Sequence, residues 1–312
     1  MKSKRLIGLF VVSFGLVAAT AMFATDAGFS GLETSIFQLG FSATDLALAE
    51  SVVALPKNPY GGLYNPAALA GLSEAYFGSM QGQIFDGVQL FSLHYAFPIT
   101  DQLSTSIHWM QLQVADIPIV PSENVLVTQD VDITGMAKYM VNAVSGGLGF
   151  QLTPQWSIGL SGAAELRALE EVGAGQGFGW QATLGMQYRL SEALTLGASL
   201  PAIVGSSTWQ TAHVDTMARS LHVGAAWVLP DWVLSAESDF PLGYMAPVVW
   251  SGGAAYSLWN LVTLRAGIQR NYMTGGLGLR AGGLRLDYAY TAASPGRYGD
   301  TARLSLAFAW AL

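Results

Sequence analysis

From Trp156 every second residue is apolar or small, namely Trp156, Ile158, Leu160, Gly162, Ala164, Leu166 and Ala168, and the residues between are Ser157, Gly159, Ser161, Ala163, Glu165 and Arg167. Phe178 opens a second run of Phe178, Trp180, Ala182, Leu184, Met186, Tyr188 and Leu190, interleaved with Gly179, Gln181, Thr183, Gly185, Gln187 and Arg189. Period two over a dozen residues predicts extended strands with one apolar face and one small or polar face. Soluble sheets use strands of about five or six residues, whereas a strand tilted across a bilayer needs about 9 to 11. These runs have the greater length. They predict a wall whose apolar face meets lipid and whose polar face lines a lumen.

The same alternation places about fourteen strands, near residues 74–82, 88–98, 103–113, 139–152, 156–169, 177–190, 194–202, 220–229, 232–240, 247–258, 261–270, 274–281, 284–292 and 301–311. Their connections alternate in length. Those at 99–102, 153–155, 191–193, 230–231, 259–260 and 282–283 are tight, and the others tend to be longer, above all 114–138 and 203–219. Short turns at one rim and long loops at the other are the arrangement of outer-membrane barrels, with the short side periplasmic. The expected fold is therefore all-β, a transmembrane antiparallel β-barrel of about fourteen strands. Spanning helices are the rival for the uncharged stretches 139–164 and 240–264, but Pro154, Pro241, Pro247 and Gly252-Gly253 interrupt them and their hydrophobicity alternates at two rather than 3.6.

Ahead of the barrel, Lys2, Lys4 and Arg5 precede an apolar run from Leu6 to Ala19, and Ala19-Thr20-Ala21 offers a small-x-small cleavage pattern. This reads as a secretory signal peptide over 1–21. Residues 22–73 lack sustained alternation. Ala43 to Val53 has the composition of a short helix with Thr44 or Asp45 as N-cap. The turn-rich Pro56 to Gly62 follows, then Tyr64-Asn65-Pro66-Ala67-Ala68-Leu69. A leader of this size has no core of its own, so 22–73 is expected to plug the periplasmic mouth of a barrel formed by 74–312.

Composition supports lipid as the solvent, since 11% of residues are charged and 51% hydrophobic, against roughly 25% charged in soluble domains. The net charge of -7 and the lack of a Lys/Arg run after residue 5 argue against a nucleic-acid partner. With no cysteine there are no disulfides, thiolate metal sites or cysteine nucleophiles. His94, His108, His213 and His222 share no metal-ligand spacing, so no metal is expected. No G-x-S-x-G occurs, and the glycine-rich 275–283 lacks the strand-then-helix setting of a phosphate loop. Neither an enzyme nor a cofactor is indicated. Glycine here is expected to let strands bend and a plug approach closely.

Glu165, Arg167, Arg189, Glu237, Asp239, Arg265, Arg280, Arg285, Asp287 and Arg303 all fall on the non-lipid register of their strands, where charge is tolerated. Adjacent last strands are expected to bring Arg265, Arg280, Arg285, Asp287 and Arg303 into one lumenal cluster. Such a cluster either pairs internally, stiffening the wall or holding the plug, or offers a basic patch to an anionic head such as a fatty-acid carboxylate. Trp109, Trp156, Trp180, Trp227, Trp232, Trp250, Trp259 and Trp310 lie mostly near strand ends, as aromatic girdles do.

Three stretches carry a family resemblance. Leu39-Gly40-Phe41-Ser42-Ala43 through Leu63-Tyr64-Asn65-Pro66-Ala67-Ala68-Leu69, together with Val262 to Gly267 and Gly276 to Tyr290, resembles the PorV/PorQ family of FadL-like outer-membrane barrels. The chain departs from that pattern at Leu46-Ala47-Leu48-Ala49 and at Lys57-Asn58. The resemblance implies a fourteen-stranded barrel with an N-terminal hatch, seated among outer-membrane lipids. It also implies one of two roles. One is a passive channel for small hydrophobic compounds. The other is a PorV-like surface accessory of type IX-like protein secretion, binding exported proteins through loops 114–138 and 203–219.

Overall fold

The computed structural model describes residues 32–33, 36–85, 87–120, 133–170, 175–243, 246–270, 272–292 and 301–312. The signal peptide expected over 1–21 lies outside them. Among the described residues the strands are β1 (Leu32–Glu33), β2 (Ala75–Phe85), β3 (Val88–Pro98), β4 (Leu103–Ile119), β5 (Gly135–Gln151), β6 (Trp156–Glu170), β7 (Gln176–Arg189) and β8 (Leu194–Trp209). They continue as β9 (Val214–Met217), β10 (Arg219–Val228), β11 (Trp232–Leu242), β12 (Val249–Leu258), β13 (Val262–Gln269), β14 (Tyr272–Ala281), β15 (Leu284–Thr291) and β16 (Thr301–Trp310).

Fourteen of these, β2 to β8 and β10 to β16, form a closed antiparallel ring. The seam is an unbroken ladder in which β16 pairs with β2 from Ala302↔Gln83 to Trp310↔Ala75. Closure gives every ring strand a partner on both sides, the condition for strands to cross hydrocarbon. β9 adds to the end of β8, and β1 runs parallel to β9. The alternation read from the sequence lands on the outer face, where Leu148, Leu160, Leu166, Leu184, Leu264, Leu304 and Phe308 are 42% to 63% exposed. An apolar belt of this extent is a lipid-facing surface. The helical rival fails because residues 139–164 form β5, the turn after it and most of β6, and no described helix is long and apolar enough to span a membrane.

The six tight turns join strands as expected, and strand extends into both of the expected long loops. β4 runs on to Ile119 and pairs with β5 through Ile119↔Gly135, past an irregularity at Asp116, which has φ 55°. Residues 121–132 lie outside the described set. The stretch 203–219 is mostly wall, since β8 continues to Trp209 and turns back as β9. Alternation breaks at Pro201-Ala202, which hides this continuation.

Residues 36–73 fill the ring as a hatch. They comprise a 3-10 turn (Ile36–Gln38), helix α1 (Ala43–Ala47), helix α2 (Gly61–Tyr64) and a second 3-10 turn (Pro66–Leu69). The first helix is shorter than the expected 43–53, and its N-cap is Ser42 rather than Thr44 or Asp45. Ser42 Oγ accepts from Asp45 N at 3.0 Å. The helix stops because Ala49 and Glu50 adopt left-handed backbone, with φ of 51° and 61°. Phe41, Leu46, Leu48, Val52, Val53 and Leu69 are buried between hatch and wall. Burial of such side chains contributes roughly 1.5 to 3 kcal/mol each, enough to dock a segment with no core of its own.

Candidate functional site

The hatch is pinned around the ring by polar side chains from the inner wall. Ser92 Oγ of β3 donates to Phe41 O (3.2 Å), Ser305 Oγ of β16 accepts from Ala43 N (2.8 Å), and Thr274 Oγ1 of β14 donates to Ala47 O (3.0 Å). The peptide of Val53 is held on both sides. Glu237 Oε2 accepts its N–H at 2.9 Å, and Asn65 Nδ2 (2.7 Å) and Gln187 Nε2 (3.2 Å) donate to its carbonyl.

The Tyr64, Asn65, Pro66 and Ala67 motif lies at the centre of this docking. The Tyr64 hydroxyl accepts from Phe41 N (3.1 Å), and its carbonyl accepts from Ser199 Oγ (2.6 Å). Asn65 accepts from Ala67 N (3.1 Å) while its amide also donates to Met186 O of β7 (3.1 Å). Pro66 packs so closely on the wall that a Cβ at Gly149 would stand 2.6 Å from its carbonyl oxygen, and one at Gly159 would overlap its backbone. Glycine at these two positions is what admits the motif.

The structure divides the lumenal charges into separate partnerships. Arg265 Nη1 pairs with Asp287 Oδ1 at 2.7 Å, reaching across β14 where Gly278 leaves room. Arg167 pairs with its strand neighbour Glu165 and donates to Ser207 Oγ at 3.1 Å. Arg303 donates to Leu39 O and lies 3.7 Å from Glu50 of the hatch. Arg285 sits over the Tyr76 ring at 5.5 Å, and Arg280 is exposed, bonding to Gly282 O (3.2 Å) in the tight turn. Arg280 and Arg285 are cross-strand partners on β14 and β15, while Arg265, Arg167 and Arg303 are each engaged by an acceptor.

The aromatics sort by height. Trp156 packs at a tilt against Tyr188 (4.6 Å) and Trp232 against Tyr256 (4.5 Å) beside the tight turns. Trp259 is in such a turn, Trp227 leads into one, and Trp310 ends the last strand against Tyr95 (6.1 Å). Trp180 and Trp250 lie toward the other rim, and both are about half exposed on the lipid face. Among the histidines, His94 and His108 are buried and stack on each other at 6.0 Å, while His213 is exposed beside Asp215 at 2.9 Å.

One place in the wall departs from a continuous ladder. β10 pairs with β8 only from Trp227↔Leu194 to His222↔Ser199. β9 resumes the pairing at Ser206↔Thr216. Between them residues 200–205 and 217–221 share no ladder. The cause is a bulge in β8, which advances four residues, Leu200 to Val204, where β7 advances two, Leu184 to Ala182. Pro201 has no N–H to donate, and Ala202 takes φ 49°. A bulge of this kind bends the strand and ends local pairing.

A cavity lies on each side of this interruption. The lumenal one, about 300 Å³, is lined by Phe37, Leu63, Pro201, His222, Glu237 and Asp239 among others. The outer one is a lipid-facing groove of about 640 Å³, lined by Leu160, Leu184, Met186, Ser199, Leu200 and Leu221 among others. The linings adjoin, since Leu200 and Leu221 face the groove while their neighbours Pro201, Ser220 and His222 face the lumen. The lumenal side carries a polar group that histidine spacing alone does not reveal. His222 Nδ1 lies 3.0 Å from Glu237 Oε1 and 2.7 Å from Asp239 Oδ1, and His222 Nε2 lies 2.7 Å from Ser220 Oγ.

No family model and no curated protein matches this sequence. Solved structures do match. The Pseudomonas putida toluene transporter TodX aligns with 88% of this chain and 99% of its own at a TM-score of 0.64 and 14% identity. The CymD monoaromatic hydrocarbon channel aligns with 88% and 98% at 0.64 and 11% identity. A Pseudomonas aeruginosa FadL homologue aligns with 87% and 98% at 0.56 and 12% identity. At these identities the likeness is one of fold, and the fold is that of the FadL-like barrels.

Proposed function

We propose that this chain is a passive channel of the bacterial outer membrane for small hydrophobic compounds, which leave the lumenal cavity sideways between β8 and β10. The observation that carries the reading is the interrupted ladder at residues 200–205 and 217–221, with a cavity on its inner side and an apolar groove on its outer side. The hatch obstructs a straight aqueous path, whereas an apolar solute gains by passing directly from the cavity into hydrocarbon. The toluene and monoaromatic hydrocarbon channels that share the fold support the same solute class.

The chain has no native cysteine, so a single introduced thiol can be labelled cleanly. Leu200→Cys, at the mouth of the groove, is labelled with a bulky maleimide, and uptake of radiolabelled toluene is measured in bacterial cells whose own channels are deleted. Labelling is expected to reduce uptake severalfold. The same label on Leu306→Cys, on the lipid face of β16, is expected to leave it unchanged. Equal uptake before and after labelling at position 200 would overturn the lateral route.

The PorV/PorQ-type reading, a surface accessory that binds exported proteins, asks for long partner-binding loops. It draws less support, because 203–219 is wall rather than loop. Capture of exported proteins by the intact cell-surface barrel would favour it.

A further inference from the structure

We propose that His222, Glu237 and Asp239 form a binding site for one divalent metal ion of the Zn2+ class, on the inner face of the β10–β11 hairpin beside the interrupted wall. One imidazole nitrogen and two carboxylate oxygens lie within 4.8 Å of one another. The separations from Nδ1, 3.0 Å and 2.7 Å, are within an ångström of the roughly 3.4 Å edge of a tetrahedron with bonds of about 2.1 Å, so small side-chain rotations would admit an ion. Two carboxylates balance the charge of a divalent cation, and an imidazole in the set favours Zn2+ over the oxygen-seeking Mg2+ and Ca2+.

Hydrogen bonding within the group is incomplete without a cation. Nδ1 carries at most one proton for the two carboxylates beside it, Glu237 Oε1 at 3.0 Å and Asp239 Oδ1 at 2.7 Å. Asp239 Oδ1 is buried, and among the described residues no group other than that Nδ1 is placed to donate to it. An ion touching all three residues would satisfy both carboxylates and take the Nδ1 lone pair in place of the proton.

The surroundings are those of ligands held for a metal. Ser220 Oγ can accept from Nε2–H, which fixes the ring and directs the Nδ1 lone pair toward the carboxylates. Glu237 is oriented through its other oxygen by Val53 N–H. Independently, Gln181 lines the same cavity, is 7% exposed, and has an Oε1 with no partner. It is a further unpartnered acceptor lining the cavity that the three ligands share. None of these points depends on the transport reading.

The test is isothermal titration of Zn2+ into the folded, untagged protein in detergent. One saturable site per chain is expected. Asp239→Asn and His222→Gln should each weaken it at least tenfold, and His213→Ala, which removes the exposed His213–Asp215 pair, should not. Only variants that keep heat-modifiable gel migration are compared. Co2+ gives a second measurement on the unmutated chain, with a visible absorption band that Zn2+ abolishes as the expected result. Absence of saturable binding, affinity unchanged in both hairpin variants, or a Co2+ spectrum no different from the aqueous ion would each overturn the proposal.

Discussion

Asn65 joins the hatch to itself through Ala67 N and Val53 O, and to the wall through Met186 O. A buried amide so fully used is costly to remove, because each orphaned partner loses about 1 to 3 kcal/mol of compensation. Asp45 is the opposite case. It sits in α1, inside the ring but outside the spanning strands, with a buried Oδ2 that has no donor. Burial pushes its carboxyl up from 3.8 to about 7, with Glu50 adding to the rise. The docked hatch thus holds the proton more tightly than the undocked one. The stability this contributes is fully present below about pH 4 and is lost as pH rises toward 7, a swing on the order of a few kcal/mol. Protease cleavage within residues 36–73 should accelerate between about pH 4 and pH 7, and Asp45→Asn should flatten that dependence. Unaltered pH dependence in the variant would show that another group is responsible.

Strands were legible to within a few residues wherever alternation ran unbroken, as in β6 and β7. Where Pro201-Ala202 breaks it, the rest of β8 has the pattern of a loop. The motif from Tyr64 to Ala67 was visible as residues, while its hydrogen bonds to strands 120 and more positions away were not. The His222 group was nearer to hand. The tight turn at Pro230-Asp231 sets an antiparallel register in which His222 and Asp239 each lie eight residues from the turn, and they are indeed paired. Reading charges across that hairpin, rather than along each strand, would have found it. The Arg265–Asp287 bridge was hidden because it skips a strand and depends on the missing side chain of Gly278. A Cβ there would lie 2.7 Å from Arg265 Nη1. Gly278→Val should therefore break the bridge and lower the unfolding temperature of the barrel, as measured by heat-modifiable migration. Arg265→Gln should add little further loss in that background.

For the whole molecule, the ring and the hatch have separable supports. The seam ladder between β2 and β16 uses no hatch residue, so deletion of residues 36–73 should leave a closed barrel. Its conductance in a planar bilayer should rise sharply over that of the full chain, and an unchanged conductance would show that the hatch does not obstruct the lumen. The barrel itself was legible because its solvent imposes one rule on every strand, apolar outward and small or polar inward. The lateral interruption was not, since it arises from a mismatch of two residues between neighbours.

Where that interruption falls also matters. Seven ring strands, β2 to β8, lie on one side of it and seven, β10 to β16, on the other, which sets it diametrically opposite the β16–β2 seam. A hoop slit along one meridian widens by flexing about the facing meridian. Here that fulcrum would be the junction of the first and last ring strands, so the two ends of the barrel sequence would govern how far its midpoint can part.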